Sequence, residues 1–377
     1  MSTVSLRPPE TRRAALPGAV AALGVFAAVR GAGVLVVAAG AWWAGRDPVR
    51  VLGVSWDSVW YLGIAAHGYG RTQMWAESGT VQSDYAFFPL YPLLVRLAGG
   101  GAPAGLAVAW TAAAVAAVGV YRVGERLYGA RAGVLLVGVW AALPHAVVLT
   151  LAYTEALLAA LAAWALYALL RERWLWAASL AVLAGLTRPT GIAVAAAVTV
   201  AALRELAVRG NRAPAVWAAA LLAPAGWAAY VLAVGAHRRD PLGYFTVQRQ
   251  WGSRFDFGAG TLGTVEKALA GGNVPVPVGV TMAVLAAAGL LAVAAVLDRT
   301  PLPLLVYAGT LLVITLGGAG YFESKPRFLL PAFPLLLPVA AAMARARPRT
   351  AVVVTACMAG LSYGYGLYLL LVARVPL

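Results

Sequence analysis

Residues 278–297, VGVTMAVLAAAGLLAVAAVL, decide the class of this protein because they contain no charged side chain. They approach the roughly 20 apolar residues that a helix needs to cross a bilayer, and residues 351–372 form a second such stretch. Of the 377 residues, 62% are hydrophobic and only 11% are charged, and the mean hydropathy is +0.80. A soluble domain carries about 25% charged residues. The sequence therefore predicts an all-α polytopic membrane protein in which residues 1–377 form one integral membrane domain.

Apolar stretches recur along the chain and predict about eleven transmembrane helices, with ends accurate to a few residues. No internal repeat or separate soluble domain interrupts them. The predicted spans cover residues 17–44, 103–121, 132–150, 154–170, 174–188, 190–207, 214–235, 278–297, 301–318, 327–344 and 350–372.

The distribution of arginine predicts a cytoplasmic N-terminus, because short cytoplasmic connections are enriched in basic residues. The basic residues ahead of the first span are Arg7, Arg12 and Arg13. Every short connection on that side of the membrane also carries arginine, for example Arg122 and Arg171. Most basic residues on the other side lie in two long outer loops, at about 45–102 and 236–277, where this rule has little force.

The first outer loop contains two segments that predict interfacial helices. Residues 57–66 have helical spacing and Gly68 follows as a stop signal. Residues 86–98 are apolar, but about 13 residues are too few to cross a bilayer. We therefore expect a juxtamembrane helix there; as a span it would invert the next five helices.

Two carboxylates stand out in this topology. Asp57 opens the first interfacial helix, where it is either an N-cap that satisfies free N–H groups or a general base at the membrane surface. Glu155 lies between two apolar spans. Its carboxylate either benefits from the macrodipole in the first turn of a helix or is kept for function, since an acid inside a membrane is costly.

Three cations on the same predicted side are candidates for binding a phosphate. Arg188 ends a span just before Pro189, where a broken helix frees backbone donors beside the cation; the alternative is snorkelling to headgroups. Lys325 and Arg327 lie at the outer end of the tenth predicted span. They suit either a phosphate clamp or a contact with anionic lipid.

These groups predict chemistry on a lipid-phosphate substrate. A carboxylate can deprotonate an acceptor hydroxyl, and cations can stabilise charge on a departing phosphate. A lipid-linked sugar is the donor that would be available at the outer face, and attack opposite the phosphate would invert the anomeric carbon. A monophosphate leaving group requires no metal or other cofactor, although the sequence leaves a bound divalent ion open. The net charge of +15 is explained by topology and membrane lipids, so we expect no nucleic-acid partner.

Five motifs follow one another along most of the chain. They are Trp56-Asp57-Ser58-x-Trp60-Tyr61-x-x-Ile64-Ala65-x-x-Gly68-Tyr69, Ala86-Phe87-Phe88-Pro89-Leu90-Tyr91-Pro92, Tyr153-Thr154-Glu155, Thr187-Arg188-Pro189-Thr190-Gly191 and Arg327-Phe328-Leu329-Leu330-Pro331. In type and order they resemble the PIG-V family of mannosyltransferases, within the multispanning GT-C glycosyltransferases. Ser55 stands where that family more often has arginine.

The resemblance implies a GT-C fold whose first outer loop carries the catalytic aspartate, which is Asp57 here, with Glu155 as the second acid. It implies a polyprenyl-phosphate-mannose donor and an enzyme that transfers mannose. The predicted topology places the active site on the extracytoplasmic side. A bacterial-like composition predicts the bacterial plasma membrane and a glycolipid, polysaccharide or protein acceptor rather than a GPI intermediate. The aromatic residues expected to line the substrate are Trp56, Trp60, Tyr61, Tyr91 and Tyr153.

Two other classes of protein remain open from the sequence. A lipid or glycolipid transporter or flippase would move lipid without sugar transfer, and such proteins usually show internal repeats and mid-membrane charges. A non-catalytic membrane scaffold would tolerate replacement of Asp57, Glu155 and Arg188.

Overall fold

A computed structural model describes residues 15–75, 80–272 and 274–373. The three N-terminal arginines on which the predicted orientation rests lie outside the described residues. The helices are α1 (Ala15–Trp43), α2 (Pro48–Gly53), α3 (Asp57–His67), α4 (Leu90–Leu97), α5 (Gly101–Tyr128), α6 (Ala130–Ala141), α7 (Glu155–Leu170), α8 (Trp174–Gly185), α9 (Ile192–Val208), α10 (Pro214–Leu222), α11 (Ala225–Arg238), α12 (Gly243–Gln250), α13 (Ala259–Ala270), α14 (Val276–Leu297), α15 (Leu302–Gly317), α16 (Lys325–Leu329), α17 (Leu337–Arg345) and α18 (Pro348–Tyr368).

Short elements join these helices. The strands are β1 (Thr72–Trp75), β2 (Thr80–Ser83), β3 (Arg254–Phe255) and β4 (Gly318–Ala319), and both pairs, β1 with β2 and β3 with β4, are antiparallel. The 3-10 turns are Asp84–Ala86, Ala146–Thr150, Pro189–Gly191, Phe322–Ser324 and Phe333–Leu336, and a π-helical turn, Leu369–Ala373, ends the described chain.

Six helical segments of the described chain are long and apolar enough to cross a membrane. Four shorter apolar helices, α6, α7, α8 and α15, and one bent pair correspond to the other five predicted spans. The exact number of eleven therefore stays a prediction. The six long segments are Pro17–Trp43, Gly101–Tyr128, Pro189–Val208, Pro214–Arg238, Val276–Leu297 and Pro348–Ala373.

Two predicted spans are broken or sharply bent, and this part of the prediction was wrong; the span at 214–235 is interrupted only at residues 223–224, between α10 and α11, and remains one long segment. The span at 132–150 ends as helix α6 at Ala141, three residues before Pro144. The span at 327–344 is bent by 75° between α16 and the segment that starts at Phe333. Proline explains both breaks, since it lacks an N–H and its ring clashes with the preceding turn. Pro331 lies within the second break.

Helix α7 lies at the centre of the bundle and packs against α5, α8 and α9. It is apolar on all sides, as expected for a helix surrounded by others, and most of its residues are buried. Close approach relies on small residues: a Cβ added at Gly133 on α6 would lie 2.8 Å from the Tyr121 carbonyl oxygen of α5. The peripheral helices α1, α14 and α18 expose Leu35, Leu290 and Leu361, consistent with contact with lipid.

The loop after α1 contains three short helices, α2, α3 and α4, and the β1–β2 hairpin. Helix α3 ends at His67 and Gly68 caps it, as the sequence predicted. The buried Asp84 carboxylate accepts hydrogen bonds from the N–H groups of Gly70 and Arg71, and so closes the base of the β1–β2 hairpin. Helix α4 has eight residues, about 12 Å, and is too short to span a bilayer.

Candidate functional site

Asp57 is the first residue of α3, and its carboxylate contacts a distant cation. Arg327 Nη1 donates a hydrogen bond to Asp57 Oδ2 over 2.7 Å, and the two residues are 270 positions apart. The backbone N–H of Asp57 donates to the Tyr153 hydroxyl over 3.3 Å. No side chain caps α3, so the N-cap interpretation of Asp57 was wrong. The Asp57 side chain is 24% exposed, which leaves the carboxylate accessible to a substrate.

The backbone just before Asp57 adopts an unusual conformation. Trp56 has φ 44° and ψ −111°, a region that non-glycine residues rarely occupy. Such strain persists only where surrounding structure maintains it, and it often occurs at functional sites. The Trp56 backbone therefore sets the direction in which α3 starts.

Glu155 is the first residue of α7 and is almost completely buried, with a side chain 2% exposed. Arg188 Nη1 lies 2.6 Å from Glu155 Oε1, and Arg327 Nε lies 3.8 Å from the same oxygen. Glu155 Oε2 has no hydrogen-bond partner among the described residues. The first-turn position and the ion pair both apply, so the macrodipole and charge pairing act on this carboxylate together.

Asp57, Arg327, Glu155 and Arg188 form a chain of alternating charge, which we call the charge cluster. Its members come from α3, α16, the start of α7 and the break between α8 and α9. Arg188 precedes Pro189 in extended backbone and its side chain is 8% exposed, which excludes snorkelling into solvent. Two carboxylates offset two guanidiniums, and such pairing is what makes buried charges tolerable. The sequence analysis identified all four residues as candidates but could not show that they lie in contact.

Aromatic rings support the two guanidiniums of the charge cluster. The Phe328 ring lies 5.4 Å from the Arg188 guanidinium carbon and 5.1 Å from that of Arg327. Arg327 also lies 5.4 Å from the Tyr153 ring centroid, and these distances suit cation–π attraction. Phe328 was not among the predicted site residues. Its position directly after Arg327 in a recognised motif was the available signal.

Of the other predicted aromatic residues, Trp60 and Tyr61 lie on α3, and the Tyr91 ring packs edge-on against that of Tyr61. The buried Tyr61 hydroxyl lies 3.2 Å from Thr154 Oγ1. Burial, and secondarily the Asp57 charge, raises the pKa of Tyr61 above its ordinary value, so this phenol stays protonated. Trp60 stacks on Phe87. Tyr91 is fully buried and donates to the Gly105 carbonyl, an arrangement that supports packing.

Lys325 has different partners from the rest of the predicted phosphate-binding set. Its ammonium is buried and donates to the carbonyl oxygens of Thr315 over 2.6 Å and Gly318 over 2.5 Å. These bonds anchor the end of α15 to the segment that leads into α16. Where the structure describes the chain, no group of three or more His, Cys, Asp or Glu residues could hold a metal ion.

Comparison with known proteins gives a match in structure alone. Neither a protein-family model nor the sequence of a curated protein matches the chain. The fold is similar to the crystal structure of ArnT from Cupriavidus metallidurans bound to undecaprenyl phosphate, with a TM-score of 0.50 and 15% sequence identity. The match covers 80% of this chain and 57% of that one, so the chain spans little more than half of ArnT. The likeness confirms the predicted fold class, a polytopic all-α membrane protein with a GT-C-like arrangement.

Proposed function

We propose that the protein is a membrane glycosyltransferase that uses a polyprenyl-phosphate-sugar donor. The observation that carries the proposal is the contact of a partly exposed carboxylate, Asp57, with the buried guanidinium of Arg327. In that contact the candidate base and the candidate phosphate ligand have atoms 2.7 Å apart, close enough for both to act on one donor molecule. The fold likeness to a structure bound to undecaprenyl phosphate supports the same class of donor.

In this proposal Asp57 is the general base. Its carboxylate takes the proton of the acceptor hydroxyl as that oxygen attacks the anomeric carbon of the donor sugar. The bond from that carbon to the phosphate oxygen breaks on the opposite side, so the configuration inverts and polyprenyl phosphate leaves. A positioned base contributes about 10²–10⁴ in rate.

Arg327 and Arg188 would bind the donor phosphate. The charge cluster is balanced without substrate, so an arriving phosphate competes with the carboxylates for the two guanidiniums. Arg327 contacts Asp57 at 2.7 Å and Glu155 at 3.8 Å, and it can turn toward the phosphate while Glu155 still offsets it. Donor binding would thereby free the Asp57 carboxylate to accept a proton, and Arg327 would stabilise charge on the leaving phosphate.

Glu155 would hold both arginines in place from beneath. Its burial keeps it from bulk water, and its contact with Arg188 makes it a positioning acid rather than a proton acceptor for the sugar hydroxyl. Lys325 could join the phosphate site only by giving up its two carbonyl partners. Arg327 and Arg188 are therefore the better supported phosphate ligands.

Mannose is the proposed sugar because of the motif resemblance to PIG-V mannosyltransferases. The proposed location is the bacterial plasma membrane with the charge cluster on the extracytoplasmic side, and the acceptor is a glycolipid, polysaccharide or protein.

The proposal is tested by incubating membranes that contain the protein with radiolabelled polyprenyl-phosphate-mannose or polyprenyl-phosphate-glucose. We expect label to pass from the mannosyl donor to an acceptor, and Asp57→Asn to abolish this transfer. Transfer from the glucosyl donor alone would contradict mannose but not the enzyme class. Labelled lipid that crosses proteoliposomes without any transfer would favour a flippase instead.

A further inference from the structure

A groove of about 290 Å³ lies between α7 and α8, far from the charge cluster. Trp164, Tyr167, Trp176 and Leu180 line it with apolar surface, and Arg171 and Arg173 add two guanidiniums. Glu155 starts α7 and the groove lies at the other end of that 16-residue helix, about 24 Å away along its axis. The groove and the charge cluster therefore lie at opposite ends of the bundle.

The turn between α7 and α8 separates the acidic side chain from the two arginines. Glu172 has φ 55°, and its carboxylate lies 4.0 Å from Arg209 and lines a neighbouring groove. Arg171 and Arg173 are exposed and form no ion pair with any described residue. The left-handed backbone at Glu172 thus separates its carboxylate from Arg171 and Arg173. Within the described chain these two cations remain unpaired beside the apolar groove.

We propose that this groove binds the headgroup and upper acyl chain of an anionic phospholipid. The phosphate would lie between the guanidiniums of Arg171 and Arg173, for which charge complementarity is the reason. The acyl chain would lie against Trp176, which is 69% exposed, and Leu180. Tryptophan and tyrosine are enriched at the depth of the lipid headgroups, and both residue types line this groove. Membrane topology alone would explain a basic loop but not a groove beside it. The apolar walls of the groove are the observation that indicates a bound lipid.

The test is native mass spectrometry of the purified full chain, titrated with phosphatidylglycerol or with phosphatidylcholine of the same acyl chains. The double variant Arg171→Gln/Arg173→Gln is compared with a matched control, Arg204→Gln/Arg209→Gln, which changes the same charge on the neighbouring groove. Each lost cation near a lipid surface weakens binding by about 5-fold. The loss of two cations therefore weakens binding by about 30-fold. We expect that loss for phosphatidylglycerol in the first variant and less than about 3-fold in the control.

Three results would overturn the proposal. They are an unchanged preference for phosphatidylglycerol in Arg171→Gln/Arg173→Gln, an equal loss in the control, and displacement of bound lipid by millimolar inorganic phosphate. If the double variant does not purify as one species, Arg173→Gln replaces it, with an expected loss of about 5-fold. Asp57→Asn should bind phosphatidylglycerol like the unchanged protein, so the lipid site is testable whether or not the proposed transferase activity is correct.

Discussion

Replacing Asp57 by asparagine should remove sugar transfer while preserving the fold. The amide has nearly the shape of the carboxylate and can still accept from Arg327 Nη1, which lies 2.7 Å from the acid in the unchanged protein. It cannot take up a proton from an acceptor hydroxyl. Loss of a general base lowers the rate about 10²–10⁴-fold, so turnover at saturating donor should fall by at least about 100-fold.

The same substitution should also lower the free energy of unfolding, but only by a small amount because of the surroundings of Asp57. It leaves the charge cluster with one excess positive charge, and breaking a buried ion pair costs about 3–5 kcal/mol. Here the Asp57 side chain is 24% exposed and Glu155 remains 3.8 Å from Arg327. Solvent and the second acid both screen the excess charge, so we expect about 1–2 kcal/mol, which the protein should tolerate.

The assay measures label transfer from polyprenyl-phosphate-mannose at saturating donor, alongside thermal unfolding in detergent. Asp47→Asn is the matched control. Asp47 is exposed in the same loop, and its carboxylate caps α2 by accepting from the Val49 N–H over 3.0 Å; asparagine caps equally well. The control should keep full activity. If Asp57→Asn unfolds normally and retains turnover within about 10-fold of the unchanged protein, the assignment of the base is wrong.

Three further substitutions test other parts of the structure. Arg188→Gln should raise the donor KM by about 10-fold or more because a phosphate ligand is lost, and an unchanged donor KM measured by initial rates would argue against that role. Lys325→Met should lower stability by about 1–3 kcal/mol because the buried Thr315 carbonyl and the half-buried Gly318 carbonyl lose their donor, with donor KM little changed; a large rise in donor KM would instead assign Lys325 to the phosphate. Gly133→Leu should lower the thermal midpoint by an amount that corresponds to about 1–3 kcal/mol, because its Cβ would approach the α5 backbone; an unchanged midpoint would show that the α5–α6 contact is looser than described.

Individual residues show how far sequence reasoning reached into the site. Asp57, Glu155, Arg188 and Arg327 were recognisable because charge is costly beside apolar spans. The same reasoning grouped Lys325 with Arg327, since two cations two residues apart in an extended or helical segment both suit a phosphate. The structure gives Lys325 two carbonyl partners instead. Side-chain direction within a bent segment depends on where the chain breaks, which local charge does not reveal.

By itself the amino-acid sequence determined that this protein is built from apolar helices in a membrane, because bilayer thickness demands long uncharged stretches. Prolines such as Pro144 and Pro331 also break helices, but the spans predicted at 132–150 and 327–344 ran through them, and only the structure showed the breaks. Tertiary structure decided which charges meet. Asp57 and Arg327 lie 270 residues apart, and only the packing of α3, α7 and α16 brings them into contact, since pairing over that separation is set by the arrangement of helices and not by any local pattern.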